Sequence, residues 1–380
     1  MPRKTFEVDV NPEVIKWARE TAGWSVEEIA KKLKTSVKNY ENLEAGIKKP
    51  TFRQLEILAK YFKRPLSALL LPKPPDELPI SSYFRILPTS ESEISKELRL
   101  AIRKAKYYQS ISRELMEGLG ISIEPEIKKF TLENNPREVA KRERENLGIS
   151  LHEQFNWKSG YEAFNNWRNA IESKNILVFQ FKFPLTDARG FSLINEKPYV
   201  IVINSEDNIY ARIFTLLHEY AHLILGISEI YVEGKIYESE IERWCNVFAS
   251  EFLIPEEALI KDDDFLNLIK YKPLSDELLE NLSKKFKVSK KAILTRLRTL
   301  NYINSYEYEE KVELLEKEMK SRGKKKRVIV KPYKRCFNEK GRTFISTVLE
   351  SKESGIITTQ DAIEYLSIKL DHLRELEKLL

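Results

Sequence analysis

The 380-residue sequence predicts an α+β protein, mainly α with a small β-sheet. Three observations carry that reading. Apolar residues recur at helical spacing between clear cap residues through most of the chain. Three β-rich runs crowd into residues 176–204. Only 12 glycines are present, too few for a turn-rich all-β protein.

The length allows two or three domains with real cores. The formal net charge of +6 is modest, so its distribution matters more than its total. Residues 1–72 carry 14 Lys/Arg against 9 Asp/Glu, and nine Lys/Arg fall between Lys320 and Arg335 with no acid among them. Two cysteines, Cys245 and Cys336, cannot build a disulfide framework. Glu7 and Asp9 follow the N-terminal Met1-Pro2-Arg3-Lys4 before any apolar core of a signal peptide, and no apolar run approaches a membrane span. A soluble chain in the cytoplasm, not attached to a membrane, is the expectation.

The first 72 residues read as five short helices. Asn11-Pro12 opens the first, with Asn as cap and Pro in the first turn, and Trp17 and Ala18 lie on its apolar stripe. Ser25 and Glu28 form a capping box for the second. Ser36 caps a third that runs to Glu44, and Gly46 closes it. Thr51 caps a fourth bearing Leu55, Leu58, Ala59 and Phe62, and Leu66 to Leu71 form the fifth. Ser25 through Ala30, Ser36 through Gly46, and Pro50-Thr51 together resemble the lambda-repressor/Cro-like (XRE) helix-turn-helix family. The resemblance implies that Ser36 to Glu44 is the recognition helix, entering the major groove by its N-terminal end. Lys38, Asn39 and Asn42 face away from Val37, Tyr40 and Leu43. Asn can bond adenine bidentately, and Lys can reach guanine or phosphate. Thr35 and Ser36 suit phosphate contacts. Glu44 reads as structural, bonding a neighbouring helix. The resemblance also implies a homodimer on a double-stranded DNA operator; a bundle used only for protein contact is the alternative.

Pro72-Lys73-Pro74-Pro75-Asp76-Glu77-Leu78-Pro79 is a stiff spacer and the clearest boundary. After Tyr83-Phe84-Arg85, a scaffold helix is expected from about Glu91 to Gly118. Residues 129–175 read as charged helices anchored by Trp157, Phe164 and Trp167, with His152 at the surface. Ile176–Phe181, Gly190–Ile194 and Tyr199–Asn204 predict a small antiparallel sheet, whose edge strand could hold an extended peptide.

Residues 209–226 form one apolar helix ended by Gly226 and containing His218-Glu219-Tyr220-Ala221-His222. Histidines at i and i+4 project from one face, as two ligands of a tetrahedral zinc ion require. Glu219 lies about 100° round the helix from His218, where it can act as general base toward water attacking a scissile carbonyl. Chance or solvated histidines are the alternative, but the helix is otherwise strongly apolar. A third ligand is sought among Glu238, Glu240 and Glu242 of the next helix. Glu242 is preferred because Asn246 shares its face at i+4 and can steady a ligand histidine. Cys245 is a rival ligand but points off that face and reads as packing.

The block Gly190-Phe191-Ser192, the helix Thr215 to Leu223, and Glu242-Arg243-Trp244-Cys245-Asn246 through Pro255 resemble the ImmA/IrrE metallopeptidases. That likeness implies a zincin-like domain with zinc on His218, His222 and Glu242 and with Glu219 as base. It also implies cleavage of a repressor- or antitoxin-like regulatory protein, with a toxin–antitoxin role among those the family fills. Where the family often has Ala, this chain has Cys245.

Leu278 to Ile303 look like another helix-turn-helix but read as the structural end of the peptidase fold. The basic run 320–335 is a solvated linker or a phosphate-contacting arm, and residues 341–380 form a helical tail suited to partner docking. The expected domains are a helix-turn-helix at 1–72, linker and scaffold helix at 73–128, a peptidase domain at 129–305, and linker plus tail at 306–380. Two functions fit: a DNA-anchored zinc endopeptidase, or a non-proteolytic repressor or antitoxin that uses the metal fold for partner binding or sensing.

Overall fold

A computed structural model describes residues 6–75, 94–227, 230–231, 240–271, 273–321 and 330–379. The spacer beyond Pro75, the Tyr83-Phe84-Arg85 segment, Glu238 and the basic residues 322–327 lie outside these.

The N-terminal bundle consists of α1 (Pro12–Thr21), α2 (Val26–Leu33), α3 (Val37–Glu44), α4 (Phe52–Phe62) and a 3-10 turn at Leu66–Leu70. Asn11, Ser25, Ser36 and Thr51 each cap a helix through the side chain, and Ser25 with Glu28 and Thr51 with Gln54 form capping boxes. Each such cap is worth about 1 kcal/mol. Ile15, Ile29, Tyr40, Leu43, Leu58 and Phe62 fill the core. Glu44 accepts from Arg19 Nε at 2.7 Å, tying α3 to α1. Val37 is 37% exposed and does not share the buried face of Tyr40 and Leu43, because the first residue of α3 stands clear of the bundle.

The scaffold helix α5 (Lys96–Gly118) starts later than the periodicity suggests, since Ser95 caps it through Leu98 N. It holds the bundle to the rest of the chain. Leu100 packs on the bundle core, the Lys96 ammonium sits 4.2 Å over the Trp24 ring, and Arg103 donates to Phe62 O at 2.8 Å.

Next come α6 (Pro136–Asn146), α7 (Leu151–Asn156) and α8 (Gly160–Glu172), then β1 (Ile176–Phe181), β2 (Gly190–Leu193), β3 (Tyr199–Asn204), α9 (Ile209–Leu225) and β4 (Ile230–Tyr231). The sheet order is β1-β3-β2-β4. It is mixed rather than antiparallel: β1 pairs parallel with β3, Ile176 opposite Tyr199, while β2 pairs antiparallel with both β3 and β4. Residues 182–189 carry the chain across the end of β3 to its far edge, so the hairpin return leaves β3 central and parallel to β1. The edge of β2 away from β3 is paired at Gly190 and Phe191 with β4.

All six residues of β1 are buried, the mark of a strand covered on both faces. Ile176, Val178, Ile201 and Ile203 face a core shared with α8 and α9. That core extends into α10 (Glu240–Leu253), α11 (Glu256–Leu259), α12 (Asp263–Lys270), α13 (Asp276–Phe286), α14 (Lys290–Thr299) and α15 (Ser305–Ser321). The second helix-turn-helix likeness, α13 with α14, is spent here: Leu279, Leu282, Phe286, Ile293, Leu294 and Leu297 are all buried.

Leu177, Phe179, Phe181, Val200 and Val202 point the other way, the period-2 alternation of a strand. They meet α5 and the tail helices α16 (Pro332–Glu353), α17 (Thr359–Leu366) and α18 (Leu370–Glu377). The tail therefore covers the sheet's second face. Its anchor is a buried ion pair, Arg168 Nε to Glu172 Oε1 at 3.1 Å, with side chains 3% and 2% exposed. Arg168 also donates to Asn338 O at 2.8 Å, and Glu172 Oε2 accepts from Arg342 N and Thr343 N. Gly341, at φ +79°, breaks α16 at this point, and a Cβ there would overlap the Glu172 carboxylate and the Arg168 guanidinium.

Arg168→Met strands a buried carboxylate and is expected to lower the unfolding free energy by about 3–5 kcal/mol. Lys182→Ala, which opens the exposed pair with Glu206, should cost under about 1 kcal/mol. Urea unfolding of both variants checks the contrast.

Candidate metal centre

Asn208 caps α9 by accepting from Ala211 N at 2.9 Å, and Gly226 ends it in the left-handed region. Between them Leu216, Leu217, Tyr220, Ala221, Leu223 and Ile224 are fully buried, so apolar burial fixes the rotation of the helix. That rotation carries His218, Glu219 and His222, each 0% exposed, into the protein beside α10.

The two imidazoles converge. His218 Nε2 and His222 Nε2 stand 3.1 Å apart, and Glu242 of α10 presents Oε2 to the first at 3.3 Å and Oε1 to the second at 3.4 Å. A tetrahedral zinc site with bonds of ~2.0–2.1 Å has ligand atoms roughly 3.3 Å apart. The donor set and its spacing fit such an ion. Burial alone would raise the Glu242 carboxyl, but hydrogen bonds from both histidines, reinforced by their charge, hold it well below the usual carboxylate range.

Glu219 packs where β2 meets α9. A Cβ on Gly190 would lie 3.2 Å from Glu219 Oε1, 3.0 Å from Val202 O and 2.7 Å from Thr215 Cγ2. Glycine at the start of β2 is what lets the strand approach the carboxylate. Asn246, one turn beyond Glu242, is half-buried and lines a cleft of about 500 Å³ with Phe214, Thr215, Val247 and Ser250.

The other sequence candidates stay outside this cluster. Glu240 is exposed at the first residue of α10, Cys245 is buried in the core between helices, and His152 is exposed on α7. The residues that fix α10 were not legible in advance. Tyr220 donates to Glu143 Oε2 at 2.5 Å, joining α9 to α6. Arg144 donates to Phe252 O at 2.7 Å and to Gln154, which donates in turn to Leu253 O at 3.0 Å and Phe286 O at 2.6 Å. Arg296 donates to Ile254 O at 3.1 Å and pairs with Glu251. These polar groups lie within charged amphipathic helices, and only their burial distinguishes them.

In the N-terminal bundle, Lys38 and Asn39 are exposed on α3, Asn42 is half-buried, and Thr35 is half-buried just before the helix. Ser36 Oγ accepts from Asn39 N at 3.2 Å. A hydroxyl engaged as a cap acceptor can still donate outward.

Comparison with known families places both regions. Residues 171–298, from the end of α8 through the sheet and both metal-site helices into α14, match the model of the Peptidase M78 family, described as the IrrE N-terminal-like domain. Residues 15–69 match the helix-turn-helix family model. No curated protein matches the chain. Among the described residues no helix is long and apolar enough to cross a membrane. The chain thus joins a region similar to the helix-turn-helix family to one similar to the IrrE N-terminal-like peptidase domain.

Proposed function

We propose that the protein is a zinc-dependent endopeptidase that hydrolyses a peptide bond in a repressor- or antitoxin-like regulatory protein while its N-terminal domain holds it at a DNA operator. The convergence of His218, His222 and Glu242 on one point, inside a region similar to a peptidase family, carries this reading. Zinc held there would supply Lewis acidity, polarising a scissile carbonyl and acidifying water. Glu219 is assigned the general base, taking a proton from the attacking water and returning it to the leaving amine. Gly190 positions that carboxylate by letting β2 close on it. Asn246 is assigned the support of a ligand imidazole, and the adjoining cleft along Phe214 and Thr215 the seating of substrate side chains.

On the DNA side, Lys38, Asn39 and Asn42 are assigned to base edges and Thr35 and Ser36 to phosphates, on a homodimer in the cytoplasm. The excess of Lys/Arg over Asp/Glu in residues 1–72 supports this, as does the family match. One observation favours a second reading, a non-proteolytic repressor or antitoxin whose metal fold senses or docks a partner, such as a toxin. His218, Glu219 and His222 are all closed to solvent, so a scissile bond cannot reach them without movement.

Purified protein should hold about one zinc per chain, and Glu242→Ala should lose it with the fold intact, by elemental analysis and circular dichroism. Glu219→Gln should retain the metal yet cleave any repressor- or antitoxin-like protein that the wild type cleaves at least ~100-fold more slowly. Cleavage at the wild-type rate would remove Glu219 from the chemistry, and cleavage by neither protein with operator binding unchanged would favour the second reading. Asn39→Ala should cost about 1–3 kcal/mol at the operator and leave non-specific DNA binding unchanged, by fluorescence anisotropy at fixed salt.

A further inference from the structure

A cavity of about 940 Å³ opens between the end of α4, the outer face of α5 and the tail helices α16 and α17. Neither the metal centre nor the exposed face of α3 uses it. Its charge is lopsided: Lys60, Lys63, Arg64, Lys104, Arg335 and Lys340 line it against Glu56, Glu339 and Glu364. Part of that charge is fixed deep in the wall. Lys340 is 2% exposed and donates to Tyr108 Oη at 2.7 Å, while Lys104 and Lys340 share Glu339 Oε1 at 2.5 and 3.3 Å.

Of the three acids in the lining, Glu339 is thus committed to two lysines. Lys60, Lys63 and Arg335 stand at the mouth with no ion pair among the described residues. Desolvation and the neighbouring Lys60 pull the Lys63 ammonium below its ordinary value, although Glu339 opposes them. An anion entering the cavity would meet these cations together and offset their mutual repulsion. The remaining wall is aromatic and apolar, from Tyr107, Leu66, Val330 and Ile368. Concave shape, an apolar wall and a few convergent charges are the features of a small-molecule site.

We propose that this cavity binds a nucleotide-sized organic phosphate, with its phosphates on Lys60, Lys63 and Arg335 and its flat apolar part against Tyr107, Leu66 and Ile368. Lys60 and Lys63 belong to the helix-turn-helix bundle, whereas Arg335 and Ile368 belong to the tail that covers the sheet. A bound ligand therefore braces the DNA-binding unit against the body that carries the metal centre. The site stands whether or not the metal centre is proteolytic.

The test is calorimetric titration of the full-length protein with ADP, pyrophosphate and adenosine. ADP should bind with one site per chain, and adenosine at least about tenfold more weakly, since each charge-assisted bond is worth roughly 1.5–3 kcal/mol. Lys63→Glu with Arg335→Glu should weaken ADP by about tenfold or more, while Lys16→Glu, an exposed reversal outside the cavity, should leave it unchanged. In the unmodified protein, ADP should slow amide exchange at both the end of α4 and the start of α16. No ADP binding up to millimolar concentration, equal loss in the Lys16→Glu control, or no slowing at either segment overturns the proposal. Protection of Lys63 from acetylation by duplex DNA but not by ADP would also overturn it, assigning the cations to the DNA backbone.

Discussion

Two imidazoles one helical turn apart can share an ion only if a third donor is brought to the same point from another element. In this protein Glu242 lies within reach of both imidazoles as a candidate third donor, and the packing of α10 against α9 decides where its carboxylate lies. Much of the surrounding structure serves that packing. The apolar side of α9 fixes the direction of the histidines, and the buried set Arg144, Gln154 and Arg296 ties down the carbonyls at the end of α10. Each of these buried polar groups would be costly without its partners, so together they admit few alternative placements of α10.

The same sheet supports two neighbourhoods. One face carries the metal-site helices, and the other is closed by α5 and the tail. The Arg168–Glu172 pair passes between the faces: it arises on α8, reaches the β1 backbone at Val178 and ends on α16. Helix α5 in turn carries the N-terminal bundle. Among the described residues the N-terminal bundle, the scaffold helix and the helices of the candidate metal centre are thus joined through packed contacts.

Local signals were legible in the sequence because they act locally. Asn11, Ser25, Ser36 and Thr51 cap the helices they were expected to cap, and Gly226 ends the histidine helix. The His-Glu-x-x-His spacing placed both imidazoles on one face, and the Asn246 spacing singled out Glu242 from its neighbours. What escaped is non-local. The parallel pairing of β1 with β3 depends on a connection that no short pattern encodes. The tail reads as an independent helical unit until Phe344, Ile345 and Val348 are seen to bury against the sheet. The cations of the α4–α16 cavity come from three separate segments, at the end of α4, in α5 and in α16, so no window of sequence could gather them.

The proposed chemistry requires one metal ion gripped by His218, His222 and Glu242. Zinc K-edge X-ray absorption on the purified protein reads that coordination directly. Two nitrogen and one or two oxygen ligands at about 2.0–2.2 Å are expected. A sulfur shell near ~2.3 Å, which would enlist Cys245, or a shell of oxygen alone, would contradict it.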